Sequence, residues 1–276
     1  MKMMVKVGNR ELEMHGQHLE ELRSSNDIFH DIGALRERME EDGYLLIRGF
    51  HNRDKVLEAR TSILEKMAQM GKLDRDTQLE DGVMADGSKT IFMGGTNEDL
   101  PALLNVLNGD HIMRFFDEFL GDKSLTYHYK WLRAVGKGDF TGAHYDIVYM
   151  GRGTHNVYTV WSPLGDISYE MGGLAICLGS HLFEKLKASY GSKDADRDGV
   201  NHYTDDPLFI TEKFGGKWAT TEFQAGDVLI FGMFLMHCSL ENTTNQYRIS
   251  VDARYQSMNE KVDERWSGKK PKGHVK

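Results

Sequence analysis

The chain has 276 residues, with 34 Lys plus Arg against 42 Asp plus Glu and a formal net charge of −8. No basic stripe precedes the last residues, so a nucleic-acid partner is not expected; the longest apolar run, 228–236, is interrupted by Gly232 and too short to span a bilayer. The opening MKMMVKVGNRELEMHG has no apolar signal-peptide core, and the two cysteines, Cys177 and Cys238, read as buried free thiols of a cytoplasmic protein.

Residues 1–30 are polar and weakly periodic. Residues 31–42 place Ile32, Leu35 and Met39 at helical spacing, and Gly43 stops that helix. Residues 44–50, YLLIRGF, form a strand. Asn52 or Asp54 caps a helix that runs to Met70, with Val56, Leu57, Ile63, Leu64 and Met67 on its apolar side. Residues 73–101 are polar and Gly-rich, with only TIFM (90–93) strand-like; such a connection is a lid, a binding loop or disordered. Residues 102–120 read as one amphipathic helix.

After Gly121 strand-like runs follow at short intervals: 125–135, 143–150, 156–162, 174–178, 218–223, 228–235 and 247–255. Many strands in series with turn residues between them indicate a sandwich or barrel. One short helix, 181–190, is inserted with Ser180 as its cap. The expected fold is mainly β with α. A mostly helical N-terminal part (1–121) precedes a β-barrel catalytic core (122–256) and a frayed basic tail (257–276), all within a single domain, 1–276.

The chemistry concentrates in TGAHYDIVYM (141–150). On a strand, His144 and Asp146 project from the same face. The best third partner is His237, at the end of another strand-like run; Cys238 then points away. Two imidazoles and one carboxylate leave three coordination positions open, which suits non-haem Fe(II) taking up a chelating co-substrate and O2 rather than a closed structural zinc. Arg248 stands eleven residues after His237 among apolar strand residues. A buried guanidinium needs an anion, and its planar fork matches a carboxylate. A dicarboxylate that chelates the metal at one end and pairs with Arg248 at the other fits the set.

His144-Tyr145-Asp146, His237 and Arg248 at this spacing resemble the Fe(II)/2-oxoglutarate-dependent oxygenases, specifically the phytanoyl-CoA dioxygenase-like family. WSPLGDISYEMGGLAICLGSH (161–181), AGDVLIF (225–231) and HCSLENTTNQYR (237–248) carry the likeness. Met171-Gly172-Gly173 departs from the family's Asn-Gly turn, and Leu178 from its Pro. The resemblance implies a double-stranded β-helix (jelly-roll, cupin-like) core. It implies Fe(II) on His144, Asp146 and His237, with 2-oxoglutarate held by Arg248, Ser239 and Trp161. It also implies hydroxylation of a small molecule with release of succinate and CO2; desaturation or cyclisation stays open. Trp161 reads equally as core packing and Ser239 as a strand-end hydroxyl bonded to backbone.

Other residues keep two readings. His128 and His155 face the cavity or the surface, and His181 makes a local bond at its helix start. Arg133 and Arg254 meet an acidic substrate group or an internal carboxylate. Asp194, Asp196 and Asp198 match the first half of a calcium loop, against an acidic solvated loop or a lid. Two other functions stay open. A barrel that binds without turnover would pair Arg248 with an internal acid. A zinc hydrolase would have no use for Arg248 and would want a general-base Glu beside a ligand.

Overall fold

The computed structural model describes residues 2–274; Met1 and the last two tail residues, Val275 and Lys276, lie outside the described residues. The first thirty residues, read as polar and unpatterned, form a hairpin of β1 (Met4–Val7) and β2 (Arg10–Glu13) and a short strand β3 (Leu19–Glu21). Helix α1 (Ile32–Asp42) begins where the Asp31 side chain accepts the Ala34 N–H and ends at Gly43 in the left-handed region, φ 79°. Strand β4 (Tyr44–Ile47) leads to α2 (Arg53–Gln69), capped by Asn52. The long connection supplies the two-residue strand β5 (Ile91–Phe92).

The expected helix 102–120 is two helices, α3 (Pro101–Leu107) and α4 (Asp110–Leu120). Asn108-Gly109 breaks the pattern that the apolar periodicity bridges. Beyond them come β6 (Ser124–Thr126), β7 (Trp131–Val135), the one-turn helix α5 (Ile147–Met150), β8 (Tyr158–Pro163) and β9 (Leu174–Cys177). Three helices fill the insert: α6 (Glu184–Ser189), α7 (Ala195–Asp198) and α8 (Pro207–Phe214). Strands β10 (Trp218–Thr220), β11 (Val228–Gly232), β12 (His237–Ser239) and β13 (Arg248–Ser257) complete the core.

The strands make two facing sheets. One runs β4-β11-β8-β13-β7-β5, with β6 beside the far end of β13; the other runs β12-β9-β10-β3. Core pairings are antiparallel except β10 with β3. Trp161, Leu229 and Phe231 of the first sheet pack against Ile176 and Ala219 of the second. This is the expected double-stranded β-helix.

Strand alternation explains how one sheet serves two purposes. Every residue of β13 is buried. Ile249, Val251, Ala253 and Tyr255 face outward into the helical layer of α1, α2, α3 and α4, where Tyr255 stacks on Phe116 at 4.3 Å. Arg248, Ser250, Asp252 and Arg254 take the other face, toward the barrel interior. An apolar outer layer thus holds rigid a strand whose inner face is polar.

The C-terminal segment packs rather than frays. Trp266 is buried against Tyr129 and Trp131 at 5.1 and 4.9 Å. A Cβ on Gly153 would come within 2.5 Å of the Asp263 nitrogen, so only glycine admits this approach. Among the described residues, no helix is long and apolar enough to cross a membrane.

Candidate metal centre

The run 143–150 is not the strand its composition suggests. His144 forms an antiparallel bridge with His237 on the outer edge of β12, each N–H donating to the other's carbonyl at 2.9 and 3.1 Å. Asp146 has already turned helical (φ −63°, ψ −31°) and opens α5. A tight turn, not pleat alternation, therefore brings its carboxylate back beside the imidazole. One ligand atom from each of His144, Asp146 and His237 lies within 4.8 Å of the others, and all three residues are buried.

Backbone carbonyls orient both imidazoles. His144 Nδ1 lies 2.9 Å from Gly142 O and His237 Nδ1 2.9 Å from Leu235 O. With Nδ1–H donating there, both Nε2 lone pairs face Asp146 Oδ1, each at 3.8 Å. The close packing of Gly142 against His202, which a Cβ would meet at 2.5 Å, holds that carbonyl in place. Burial, with His237 beside it, pushes His144 down to about 3, so the ring is neutral and its Nε2 lone pair is not taken by a proton.

Asp146 is held from its far side. Arg254 Nη2 donates to Oδ2 at 3.1 Å, and Thr159 Oγ1 donates to the same oxygen. Burial pushes this carboxyl up. Arg254, the two histidines and the Thr159 hydroxyl more than offset that, holding it well below the usual carboxylate range. Arg254 in turn lies 4.4 Å over the Trp131 ring. The sequence leaves Arg254 to an acidic substrate group or an internal carboxylate; its partner is Asp146. The signal was its parity with Arg248, three strand-face steps earlier. Thr159 carried no signal of its own.

Arg248 is buried, and its Nη1 donates to Ser250 Oγ at 2.5 Å. Its Nε has no partner, and no ion pair to it is found among the described residues. Burial and the neighbouring Arg133 push its pKa down to about 10. Asp252, the nearby acid, is paired with Arg133. The buried cation without its own carboxylate fits a site for an anionic ligand. Ser239 Oγ accepts the Thr141 N–H at 2.8 Å. Trp161 shares the inward face of β8 with Thr159 and packs edge-on to Phe223 at 4.7 Å.

A cavity of about 210 Å³ opens on the metal position. Phe92, Tyr129, Trp131 and Tyr149 form aromatic walls; Arg133, Arg254 and Thr141 add polar groups; Asn201, His202 and His274 come from the insert and the C-terminal segment. Arg248, Ser239 and Trp161 are not part of that wall.

Of the two readings of His128 and His155, the surface one holds: both are exposed, and His128 Nδ1 accepts the Gly268 N–H. His181 is corrected: it reaches Glu40 O at 3.1 Å, a long-range bond rather than a local one. The calcium reading of Asp194, Asp196 and Asp198 fails: each carboxylate is taken by a guanidinium. Arg152 binds Asp194 at 2.7 Å, Arg265 binds Asp196 at 2.6 Å, and Arg197 binds Asp198 at 2.7 Å. Among the described residues, His144, Asp146 and His237 form the one group placed to hold a metal.

Comparison with known proteins agrees with this geometry. The family model for phytanoyl-CoA dioxygenase (PhyH) matches residues 39–250. The 1-deoxypentalenic acid 11-β-hydroxylase of Streptomyces exfoliatus is 26% identical over 251 residues, 83% of this chain and 82% of the relative. The epimerase SnoN, solved with Fe3+, α-ketoglutarate and nogalamycin RO, superposes with a TM-score of 0.60 at 16% identity, covering 84% of this chain and 86% of SnoN. EctD from S. alaskensis, solved with 2-oxoglutarate and 5-hydroxyectoine, gives 0.58 at 18% identity over 86% of this chain and 80% of its own.

Proposed function

Because this chain belongs to the phytanoyl-CoA dioxygenase family, we propose that it hydroxylates a small organic molecule, releasing succinate and CO2, through His144, Asp146, His237 and Arg248. The protein is a non-haem iron, 2-oxoglutarate-dependent oxygenase. The observation that carries the residue assignment is the pairing of two features: a buried His–Asp–His set with both Nε2 atoms turned inward, and a buried arginine without an acid of its own. A binding barrel without turnover is less well supported, since it would give Arg248 an internal carboxylate.

Iron and 2-oxoglutarate, when bound, supply the oxidising power: O2 is reduced as the keto acid loses CO2, and one oxygen atom enters a substrate C–H bond. The chain's own residues do the rest. His144, Asp146 and His237 would hold the metal and leave three positions for ligands. Arg248 would fix the distal carboxylate of 2-oxoglutarate, with Ser239 and Trp161 flanking it. Arg254 and Thr159 occupy Asp146 Oδ2, which leaves Oδ1 for the metal. The apolar packing of Phe231 on His237, at 4.6 Å, excludes water behind the ligands. The compounds named with the relatives, 1-deoxypentalenic acid, nogalamycin RO and 5-hydroxyectoine, favour a natural-product or amino-acid-like substrate over a macromolecule. A cytoplasmic setting suits the two buried free thiols.

The test is an anaerobic titration of metal-free protein with Fe(II) and then 2-oxoglutarate, following the visible charge-transfer band of the chelate. Wild type gives the band. His144→Ala loses it, and Arg248→Gln requires about 10- to 100-fold more 2-oxoglutarate, the effect of losing a charge-assisted hydrogen-bond pair. Folded, iron-loaded wild type without a band would overturn the reading.

A further inference from the structure

The inward faces of β7 and β13 carry an unbalanced charge. Three arginines, Arg133, Arg248 and Arg254, share two carboxylates, Asp146 and Asp252. Asp146 is committed to Arg254 and the metal position. Arg133 holds Asp252, although Arg248 also feels it. A divalent metal and a dianionic co-substrate cancel each other, so the loaded site keeps one positive charge in excess. No acid other than Asp146 lines the cavity among the described residues, and the nearby Asp196 is bonded to Arg265 at 2.6 Å.

The structure places that excess where a substrate can meet it. Arg133 is 28% exposed in its side chain and lines the cavity, whereas Arg248 and Arg254 are 2% exposed. Arg133 lines the same cavity as His144, Asp146 and Tyr149. Asp252 engages its Nη1 alone among the described residues, which leaves the other edge of the fork for a ligand. Around it the walls are aromatic. Phe92, brought by β5 into register opposite Arg133, is 53% exposed with its ring centroid 5.6 Å from the guanidinium carbon. Leaving a large apolar ring in water beside a cation makes sense when an apolar ligand covers it.

Building on the oxygenase reading, we propose that the substrate is a compact apolar molecule with a single carboxylate, its acid group held by Arg133 and its body lying against Phe92, Tyr129, Trp131 and Tyr149. One uncompensated charge matches a monoanion, and the planar fork matches a carboxylate. A phosphate dianion or a coenzyme-A ester would bring more negative charge than this floor can neutralise.

The experiment uses anaerobic protein loaded with Fe(II) and 2-oxoglutarate. Cyclohexanecarboxylate and adamantane-1-carboxylate are titrated beside their uncharged carboxamides and the phosphate monoester of adamantanol. Perturbation of the chelate band and quenching of tryptophan fluorescence, to which Trp131 at the cavity wall contributes, report binding. The expected result is at least about tenfold tighter binding of an acid than of its amide, what one charge-assisted hydrogen bond contributes, with the phosphate weaker than the acid. Arg133→Lys, which keeps the charge on Asp252, and the double variant Arg133→Met/Asp252→Leu, which removes the ion pair whole, both lose most of the acid preference. Their 2-oxoglutarate half-saturation stays within about twofold of wild type. Equal binding of acids and amides by wild type, or no binding by any acid, overturns the proposal. So does a loss of 2-oxoglutarate affinity with the acid preference intact, which would assign Arg133 to the co-substrate. Failure of the chelate band in wild type is a separate result and counts against the oxygenase reading itself; fluorescence then still reads the acid preference.

Discussion

A carboxylate that binds a metal through one oxygen must be told which oxygen. In the proposed metal site Arg254 and Thr159 would make that choice, since both donate to Asp146 Oδ2. The arrangement also keeps Asp146 ionised in a fully buried place, where burial alone would favour the neutral acid. Arg254→Met preserves the packing on Trp131 and removes only the donors. Metal affinity of the apo-protein, titrated with Co(II) and read from its visible spectrum, is expected to fall about 10- to 100-fold, as for other groups that orient a ligand. Unchanged affinity would reduce Arg254 to a packing residue.

Short elements set the shape of the site. The one-turn helix α5 exists because 146–150 leaves the strand straight after His144, and this turn places Asp146 opposite two histidines. The acidic turn at α7 looks like a cation loop in sequence, yet its partners arrive from elsewhere in the chain. Arg152 comes from the loop after α5, and Arg265 and His274 come from the C-terminal segment. The turn is thus a clasp that holds Arg265 and His274, the latter at the cavity wall. Arg265→Met removes the bond to Asp196 and the two side-chain bonds to Asp263, leaving the backbone one. Amide exchange of residues 262–274 is expected to accelerate by at least about tenfold, as expected for a locally released segment, while β7 and β13 keep their protection. A chelator such as EGTA should leave that exchange rate unchanged, since arginines and not calcium fill the turn.

At the scale of the whole molecule, buried neutral histidines lower stability as pH falls. His51 is buried beside Phe50 with Nε2 unpartnered, and desolvation, reinforced by His111, pushes it down to about 3. The unfolded chain takes up a proton near its ordinary value of about 6.5 while the folded chain does not. Unfolding therefore binds protons between these limits, and stability present above pH 6.5 is lost as pH falls toward 3. His51 contributes a slope of up to about 1.4 kcal/mol per pH unit in that window. Urea melts of His51→Leu should show a correspondingly shallower pH dependence than wild type; equal slopes would exclude His51 as a source. In metal-free protein His144 adds in the same direction.

Much of this was open to a reader of the chain alone. Apolar periodicity marks α1, α2 and the barrel strands because burial on one face demands it, and His144, Asp146, His237 and Arg248 stand out because few other chemistries combine those types at that spacing. The hairpin of β1 and β2 and the strand β3 went unread, since three- and four-residue strands are stabilised by distant partners rather than by their own pattern. The same holds for charge. Composition names the arginines and aspartates but not their pairing: Asp146 with Arg254, Asp252 with Arg133, Asp196 with Arg265 are separated by 108, 119 and 69 residues. Local sequence determined the elements and the metal-binding residue types. Only the tertiary fold, which brings distant side chains within hydrogen-bonding reach, decided which acid stands beside two histidines, which hold an arginine, and which arginine lines the open cavity.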